Sequence, residues 1–238
     1  MKLNKSWIIA GKDFKIFRKK KRILYALIIL PLLLSVGLPL FLISTLESAD
    51  PGEVAIILNA FSFFYIILAY ILPNSLAAYS ILGEKIEHSL EPLLATPLTD
   101  GELLLGKMIA SFLPCVAMIY LGSVIFMALS DVTTGTLYFP NWTMAFILII
   151  AVPLASILSI QLNIIISSRV NDVRTANQLG LLLFIPFIAV YILLTTNMVS
   201  LNILNLLIVS AVLLIIDVVL FYVNKATFNR DKILTKWK

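Results

Sequence analysis

The side chains best suited to chemistry or recognition are concentrated in one polar segment, residues 83–107, between two long apolar stretches. Five acids and two cations give this segment a net charge of −3, whereas the whole protein carries +5. Three of the acids and the histidine lie at helical spacing, as Glu84, Glu87, His88 and Glu91. Pro92 and Pro97 isolate a short helical piece near residues 92–95. The segment is suited either to docking on another protein, since anionic lipid repels it, or to serving as a solvated amphipathic linker.

The remaining residues give little support for enzymatic or metal chemistry. One histidine, His88, and one cysteine, Cys115, cannot supply a clustered zinc site or an internal disulfide. Residues 101–107 match the first seven positions of a phosphate-binding loop, but Met108 stands where magnesium binding needs a hydroxyl. The sequence has no paired intramembrane aspartates, HExxH run or Ser/His set. We therefore expect this chain to have no enzyme activity, no metal and no cofactor of its own.

Polar residues also fall on single faces of two apolar stretches. The first face carries Asn59, Phe63, Tyr70 and Asn74, and the second carries Ser156, Ser159, Asn163 and Ser167. Because hydrocarbon offers no aqueous partner, such side chains should face other helices or a cavity. They indicate either a substrate path or subunit seam, or helix packing through interhelical hydrogen bonds.

Asp217 is the one charge that falls clearly within an apolar stretch, about eight residues or roughly 12 Å from Lys225. A carboxylate at this depth demands a partner. One interpretation is a proton or ion relay, although no second intramembrane acid, histidine or lysine accompanies it. The other is packing near the inner boundary, as a neutral acid or against a hydroxyl.

Membrane-spanning helices must position these side chains. Hydrophobic residues make up 61% of the 238-residue chain and charged residues 13%, with a mean hydropathy of +1.03, whereas soluble domains carry about 25% charged residues. Six apolar stretches reach the roughly 20 residues that a spanning helix needs. They are residues 23–43, 54–82, 103–129, 142–167, 176–194 and 202–223. The sequence predicts an all-α integral membrane protein with a single transmembrane domain, residues 1–238.

The 18 lysines and arginines predict the orientation, because short cytoplasmic segments keep an excess of cations. With six spans, all of these cations fall on one side of the membrane, and the opposite connections carry only acids. Both termini are therefore expected in the cytoplasm of a multi-pass plasma-membrane protein. The basic charge is explained by this topology and by attraction to anionic membrane lipid, and no nucleic-acid partner is expected.

The N-terminal segment, residues 1–22, is predicted to form an interfacial amphipathic helix. Trp7, Ala10, Phe14 and Phe17 share one side of a helical wheel, while Lys5, Lys12, Lys15 and Lys19 share another. Ile8 falls on the basic side, so a plain basic anchor stays open as the alternative. The other cytoplasmic parts are a loop at residues 83–102 and a tail at residues 225–238.

The loop contains an ordered set of short sequence runs. Thr99 and Glu102 fit a capping box at the start of the third span. The runs are Gly83-Glu84-Lys85, Leu90-Glu91-Pro92-Leu93-Leu94-Ala95-Thr96-Pro97 and Glu102-Leu103-Leu104-Leu105-Gly106-Lys107. Together with the N-terminal helix, the six spans and the short outer connections, this pattern resembles the ABC-2 type permeases, the membrane subunits of ATP-binding cassette exporters.

The resemblance implies an ABC-2 fold of the type V exporter kind in the plasma membrane of a prokaryote. It implies a coupling helix that docks on a cytosolic ATPase, formed by Glu84, Glu87, His88, Glu91, Pro92, Leu93, Leu94, Thr96 and Pro97. ATP and magnesium would be held by two copies of that ATPase subunit, and a second permease subunit, identical or paralogous, would complete the transporter. The resemblance favours the second span near the substrate path more than the fourth, which carries Ser156 and Asn163.

A self-contained secondary transporter or channel is the alternative function. Such proteins usually carry broken helices, convincing inverted repeats or several intramembrane charges, which this sequence lacks. The cargo stays open among lipids, peptides, drugs and ions, all of which members of the resembled family handle.

Overall fold

The computed structural model describes residues 3–46, 51–86, 99–185 and 203–227, and the elements within these ranges are helical. Helices α1 to α9 are, in chain order, Leu3–Lys19, Lys21–Leu46, Pro51–Ser62, Phe64–Ile86, Asp100–Thr134, Trp142–Phe146, Val152–Arg169, Val173–Leu182 and Ile203–Thr227. A π-helical turn, Ile147–Ala151, joins α6 to α7. The described part of the chain is therefore all-α, as predicted.

Five helical segments are long and apolar enough to cross a membrane. They are Ile23–Phe41, Ile57–Ile86, Asp100–Thr134, Trp142–Arg169 and Leu207–Ala226. Each overlaps a predicted span, so five of the six are confirmed by length and composition. The remaining one, residues 176–194, begins within α8 and continues past residue 185, beyond the described residues. The sixth span therefore stays a prediction.

α4 lies at the centre of the bundle. It packs most extensively on α7 and also contacts α5 and α8, so most of its length is buried. Aromatic side chains fill the space between α4 and α5, where the rings of Tyr65 and Phe126 meet edge to face with centroids 5.6 Å apart. α2 packs along α5 and α9 along α7. Many apolar side chains of α2 and α9 are exposed, as expected of helices that face lipid.

α1 packs on α5 near the point where α4 ends and α5 begins, which we call the α1 end of the bundle. Its buried residues are Ser6, Ile9, Ala10, Asp13 and Phe17. Trp7 is 59% exposed, although the helical wheel groups it with Ala10 and Phe17. The face that α1 turns toward the protein is therefore a mixed one that includes an aspartate. The placement of α1 at the membrane surface stays a prediction.

Side-chain hydrogen bonds organise the opposite end of the bundle, where residues 135–141 connect α5 to α6. Asp131 Oδ1 accepts from the backbone N–H groups of Tyr138 and Phe139, each at 3.0 Å. Asn141 Oδ1 accepts from the Met144 N–H at 2.8 Å and so caps α6. Asn141 Nδ2 donates to Asn59 Oδ1 at 3.1 Å. This connection is therefore attached to α3.

Candidate functional site

A buried ionic cluster joins α1, α4 and α5 at the α1 end. Its members, which we call the Lys107 cluster, are Lys12, Asp13, Ser80, Glu84 and Lys107. The side chains of Asp13, Glu84 and Lys107 are 4% exposed or less, whereas that of Lys12 is 41% exposed. Charged residues are almost never buried this deeply unless they are paired. Two cations and two anions therefore balance one another in this cluster, in which Lys107 and both acids are buried and Lys12 is partly exposed.

Lys107 lies at the centre of this cluster. Its Nζ is 2.7 Å from Glu84 Oε2 and 3.7 Å from Asp13 Oδ2. The ammonium group also donates to the carbonyl of Ser80 at 2.6 Å and to the hydroxyl of Ser80 at 3.3 Å. The contact with Glu84 is an ion pair, and Glu84 Oε2 accepts no hydrogen bond from the described residues. Lys107 thus holds both buried carboxylates and the backbone of α4.

Each carboxylate of the cluster also has a second partner. Ser80 Oγ donates to Asp13 Oδ2 at 2.6 Å, and Lys12 Nζ donates to Glu84 Oε1 at 2.7 Å. Burial raises the pKa of Asp13, while the Lys107 ammonium and the Ser80 hydroxyl oppose that rise. Charge pairing and hydrogen bonding therefore act together against the desolvation of Asp13.

The cluster lies next to the predicted coupling segment. Of the residues to which the resemblance assigns coupling, the structure describes Glu84, whose carboxylate is buried and partnered within the chain. The others lie outside the described residues, namely Glu87, His88, Glu91, Pro92, Leu93, Leu94, Thr96 and Pro97. Their role in coupling stays a prediction.

The start of α5 is fixed by local and long-range contacts. Thr99 Oγ1 accepts from the Glu102 N–H at 3.3 Å, and Glu102 Oε2 accepts from the Thr99 N–H at 3.1 Å, which confirms the capping box. Ser6 Oγ of α1 donates to the Glu102 carbonyl at 2.9 Å. A Cβ at Gly106 would lie 2.8 Å from the Ile9 Cβ, so α1 approaches this closely because residue 106 is glycine.

Lys85 connects α4 to the last turn of α7. Its Nζ donates to the Ser167 carbonyl at 2.8 Å and to the carbonyls of Ser168 and Val170 at 3.4 Å. The last carbonyls of a helix lack partners within the helix, and a cation there is favourable. The run Gly83-Glu84-Lys85 thus holds α5 through Glu84 and α7 through Lys85.

The two predicted polar faces meet in the interior, where they form the Asn74 cluster, made of Tyr70, Asn74, Ser159, Asn163, Ser167 and Gly180. Asn163 Nδ2 donates to the Asn74 carbonyl at 2.9 Å and also contacts Asn74 Oδ1. Ser167 Oγ donates to Asn163 Oδ1 at 2.9 Å. Ser159 Oγ donates to the Tyr70 carbonyl at 2.6 Å. These bonds hold α4 against α7.

α8 closes the Asn74 cluster from a third side. The Tyr70 hydroxyl donates to the Gly180 carbonyl at 2.9 Å, and Asn74 Nδ2 donates to the Asn177 carbonyl at 3.3 Å. A Cβ at residue 180 would collide with Asn74 Oδ1 and would lie 3.0 Å from Asn163 Nδ2. The cluster therefore serves as a seam between three helices, and a role in a substrate path stays a prediction.

The other members of the predicted faces lie elsewhere. Asn59 bonds to Asn141 at the opposite end of the bundle. Phe63 is buried within the apolar core. Ser156 is buried, and its hydroxyl has no hydrogen-bond partner among the described residues. Each predicted face therefore contributes some residues to the Asn74 cluster and others to separate places in the bundle.

Asp217 lies on the side of α9 that faces the protein. It is 6% exposed, and its carboxylate oxygens have no hydrogen-bond partner within the described ranges. Ser210 and Asn224, seven residues before and after it, are also buried, and Asn224 Nδ2 donates to the Gln161 carbonyl at 3.2 Å. Asp217 therefore belongs to a polar stripe of α9, and its relay or packing role stays a prediction.

The sequence pattern indicated no role for Asp13 or Ser80, and it placed Lys12 on the basic side of the N-terminal helix and Lys107 among the cations that flank the cytoplasmic loop. One signal was present, because Asp13 is the only acid before residue 47 in a strongly basic segment. Within the described residues, no group of three or more His, Cys, Asp or Glu side chains is placed to hold a metal ion.

A family model described as ABC-2 family transporter protein matches residues 7–210. The matched region contains the Lys107 cluster, the Asn74 cluster and the loop between α4 and α5. No curated protein matches the chain. The family match thus covers most of the chain and both polar clusters.

Proposed function

Because the chain belongs to the ABC-2 family of transporter proteins, we propose that it is the transmembrane permease subunit of an ATP-binding cassette exporter. A separate cytosolic ATPase subunit, present in two copies, binds and hydrolyses ATP with magnesium. A second permease subunit, identical or paralogous, completes the transporter. The termini and the loop between α4 and α5 face the cytoplasm of a prokaryotic cell.

The observation that carries this proposal is the anchoring of both ends of the loop. Glu84 lies near the end of α4 and Lys107 near the start of α5, and an ion pair of 2.7 Å joins them. The same cluster includes α1, and Lys85 attaches α7. A force on residues 87–98 would therefore act on four helices together. A solvated linker needs no such anchoring.

The placement of Lys107 supports assigning ATP binding to another subunit. The lysine of a phosphate-binding loop must reach the nucleotide phosphates. Lys107 is 1% exposed and is already paired with Glu84 and Asp13. Residues 101–107 also open α5, which is apolar and long enough to span a membrane.

Purification tests the energy source directly. The tagged chain is purified in mild detergent from membranes of its own cells and, separately, from a host that expresses this chain alone. We expect the first sample to contain a stoichiometric ATPase subunit and to hydrolyse ATP, and the second to hydrolyse none. Replacing the catalytic glutamate of the co-purifying subunit should abolish hydrolysis in the first sample.

Two results would count against the proposal. The first is the absence of an ATPase subunit from the native sample, and the second is ATP hydrolysis by the chain alone. Transport that survived loss of the partner's catalytic glutamate but stopped when the proton gradient collapsed would favour a self-contained secondary transporter.

A further inference from the structure

The fourth span, Trp142–Arg169, is not one continuous α-helix. α6 ends at Phe146, the π turn occupies Ile147–Ala151, and α7 begins at Val152. The Val152 N–H donates to the Ile147 carbonyl, five residues earlier, instead of to the carbonyl four residues earlier. Single π turns within α-helices occur frequently at functional sites.

Pro153 leaves one carbonyl of this turn without a donor from its own helix. In the α register the Leu148 carbonyl would accept from Val152, but that N–H donates to Ile147. In the π register the Leu148 carbonyl would accept from residue 153, which is proline and has no N–H. The helix therefore supplies no donor to Leu148.

Tyr120 of α5 supplies the missing donor from the third span. Its hydroxyl donates to the Leu148 carbonyl at 2.9 Å. Tyr120 is 38% exposed and the neighbouring Ile149 is 72% exposed, so this bond lies at the lipid-facing edge of the contact between the two spans. Water cannot take the place of the hydroxyl in hydrocarbon, where an unsatisfied backbone carbonyl is costly.

The two helical registers leave different carbonyls without a donor. If the turn returned to the α register, Val152 would satisfy Leu148, and the Ile149 carbonyl would have no helical donor because Pro153 lacks an N–H. The Tyr120 hydroxyl bonds to Leu148 and so favours the π register. The turn therefore has two alternative bonding arrangements, and one side chain of another span selects between them.

The two ends of the fourth span are attached to different elements. Lys85 of α4 holds the last turn of α7, beside the loop that we propose couples to the ATPase. Asn141, which caps α6, bonds to Asn59 of α3 at the opposite end. The π turn lies between these two attachments, so a movement of one end relative to the other can be absorbed there.

We propose that the π turn is the hinge of the fourth span in the transport cycle, and that Tyr120 is a positioning residue that holds the hinge in the register seen here. This inference rests on the proposed function, since a hinge acts in transport only if the chain undergoes a transport cycle.

A distance measurement across the outer ends of the two spans tests the hinge. Spin labels are placed on cysteines at Val132 of α5 and Trp142 of α6, which are 78% and 66% exposed, in a Cys115→Ala background. The full chain is studied with its ATPase subunit in lipid nanodiscs, first without nucleotide. The variants are Tyr120→Phe, Pro153→Ala and the two combined. Tyr25→Phe is the matched control, because Tyr25 is 55% exposed on α2.

In the wild type we expect one narrow distribution of distances between the two labels. Tyr120→Phe removes only the hydroxyl, so it should broaden or shift that distribution. In the Pro153→Ala background the same change should have no effect, because the substituted alanine restores an N–H and Leu148 then has a donor in either register. Tyr25→Phe should leave the distance unchanged. Two results would overturn the role of Tyr120. One is a Tyr120→Phe variant whose label distances match those of the wild type, and the other is a Tyr120→Phe change that alters the distances equally with Pro153 and with Pro153→Ala.

A second arm separates the hinge from the proposed function. ATP, magnesium and vanadate are added to the wild-type complex, and ATP hydrolysis is measured in the same preparation. We expect trapping to shift the distance between the labels at residues 132 and 142. An unchanged distance in a complex that hydrolyses ATP would overturn the hinge and leave the proposed function standing, whereas a complex without ATP hydrolysis would count against the proposed function itself.

Discussion

Lys107 determines the charge balance at the α1 end because it alone contacts both buried carboxylates of its cluster. Without Lys107, the buried Asp13 and Glu84 would retain Lys12, whose side chain is partly exposed, as the nearest cation of the cluster. Without Glu84, Lys107 would keep Asp13 and Ser80. Breaking a buried pair costs about 3–5 kcal/mol, whereas replacing the whole charged group with uncharged residues is often nearly neutral.

We therefore expect Lys107→Met to lower the free energy of unfolding by about 3–5 kcal/mol. Glu84→Gln should have a smaller effect, because Asp13 continues to balance Lys107 and the freed Lys12 can reach water. The triple variant Asp13→Asn/Glu84→Gln/Lys107→Met should be more stable than Lys107→Met alone. Circular dichroism monitors the unfolding of each variant in detergent, and the free energies of unfolding rank the three variants.

Lys15→Met is the control for this series, because Lys15 is an exposed lysine of α1. It should leave the unfolding transition close to that of the wild type. A triple variant as unstable as Lys107→Met, or an equal loss in Lys15→Met, would show that buried charge balance does not set the stability of this end.

Helices α4, α7 and α8 meet through polar side chains and one glycine. This is expected in a membrane, because the hydrophobic effect does not drive helices together in lipid. Gly180 brings α8 close enough for its carbonyl to bond to Tyr70. Asn74 and Asn163 occupy the space beside it. A larger side chain at residue 180 would separate α8 from the other two helices.

Gly180→Ala is therefore expected to destabilise the protein by about 1–3 kcal/mol, because the new methyl group overpacks the Asn74 cluster. Gly37→Ala in α2 is the matched control, since no atom beyond the adjoining residues and backbone of its own helix lies within 4 Å of the position that its Cβ would take. Alanine is also the better helix former, so this control should be neutral or slightly stabilising. Thermal unfolding compares the two variants, and equal losses would contradict the close packing assigned to α8.

The loop between α4 and α5 is the element through which we expect the ATPase to act. An exposed ion pair is worth about 0–1 kcal/mol, so Glu91→Lys should weaken assembly modestly and in a salt-dependent way. Burial of a leucine contributes about 1.5–3 kcal/mol, and Leu94→Asp would also place an unpaired charge in the contact. Leu94→Asp should therefore uncouple or dissociate the ATPase without affecting membrane insertion.

Leu137→Asp provides the control for this loop, because Leu137 is 93% exposed in the connection at the opposite end. Membrane level, ATPase co-purification and ATP hydrolysis are compared for the three variants. Full partner binding and normal hydrolysis in Leu94→Asp would identify the loop as a solvated linker.

At the scale of the whole molecule, the two ends of the bundle differ in their chemistry. The α1 end holds the Lys107 cluster and Lys85, whereas the opposite end is held by Asp131, Asn141 and Asn59. This asymmetry is consistent with the excess of cations that short cytoplasmic segments retain. We therefore expect the α1 end to face the cytoplasm.

Single cysteines in a Cys115→Ala background test this orientation. Leu137→Cys lies in the connection between α5 and α6, and Asn171→Cys lies in the exposed turn between α7 and α8. An impermeant thiol reagent should label Leu137→Cys in intact cells and Asn171→Cys only after permeabilisation. Labelling of Asn171→Cys in sealed cells would contradict the predicted topology, and labelling of both in opened cells controls for reactivity.

The amino-acid sequence was sufficient to predict five spans and the capping box at the start of α5, because both depend on residues close together in the chain. The length of an apolar run decides whether it can cross a membrane. Thr99 and Glu102 are three residues apart and satisfy one another within a single turn. The polar faces carrying Tyr70, Asn74 and Asn163 were also visible from helical periodicity, since it places such residues on one side.

The partners of those residues could not be read from local pattern, because they depend on how distant helices dock. Lys107 looked like a boundary cation, yet the packing of α1 and α4 against α5 buries it between Asp13 and Glu84. Helical periodicity groups Trp7 with the apolar side of α1, but contact with α5 buries Asp13 instead, since Lys107 offsets the cost of desolvating its charge. The bond from Tyr120 to Leu148 likewise exists because packing brings the third span beside a π turn whose proline cannot supply the donor.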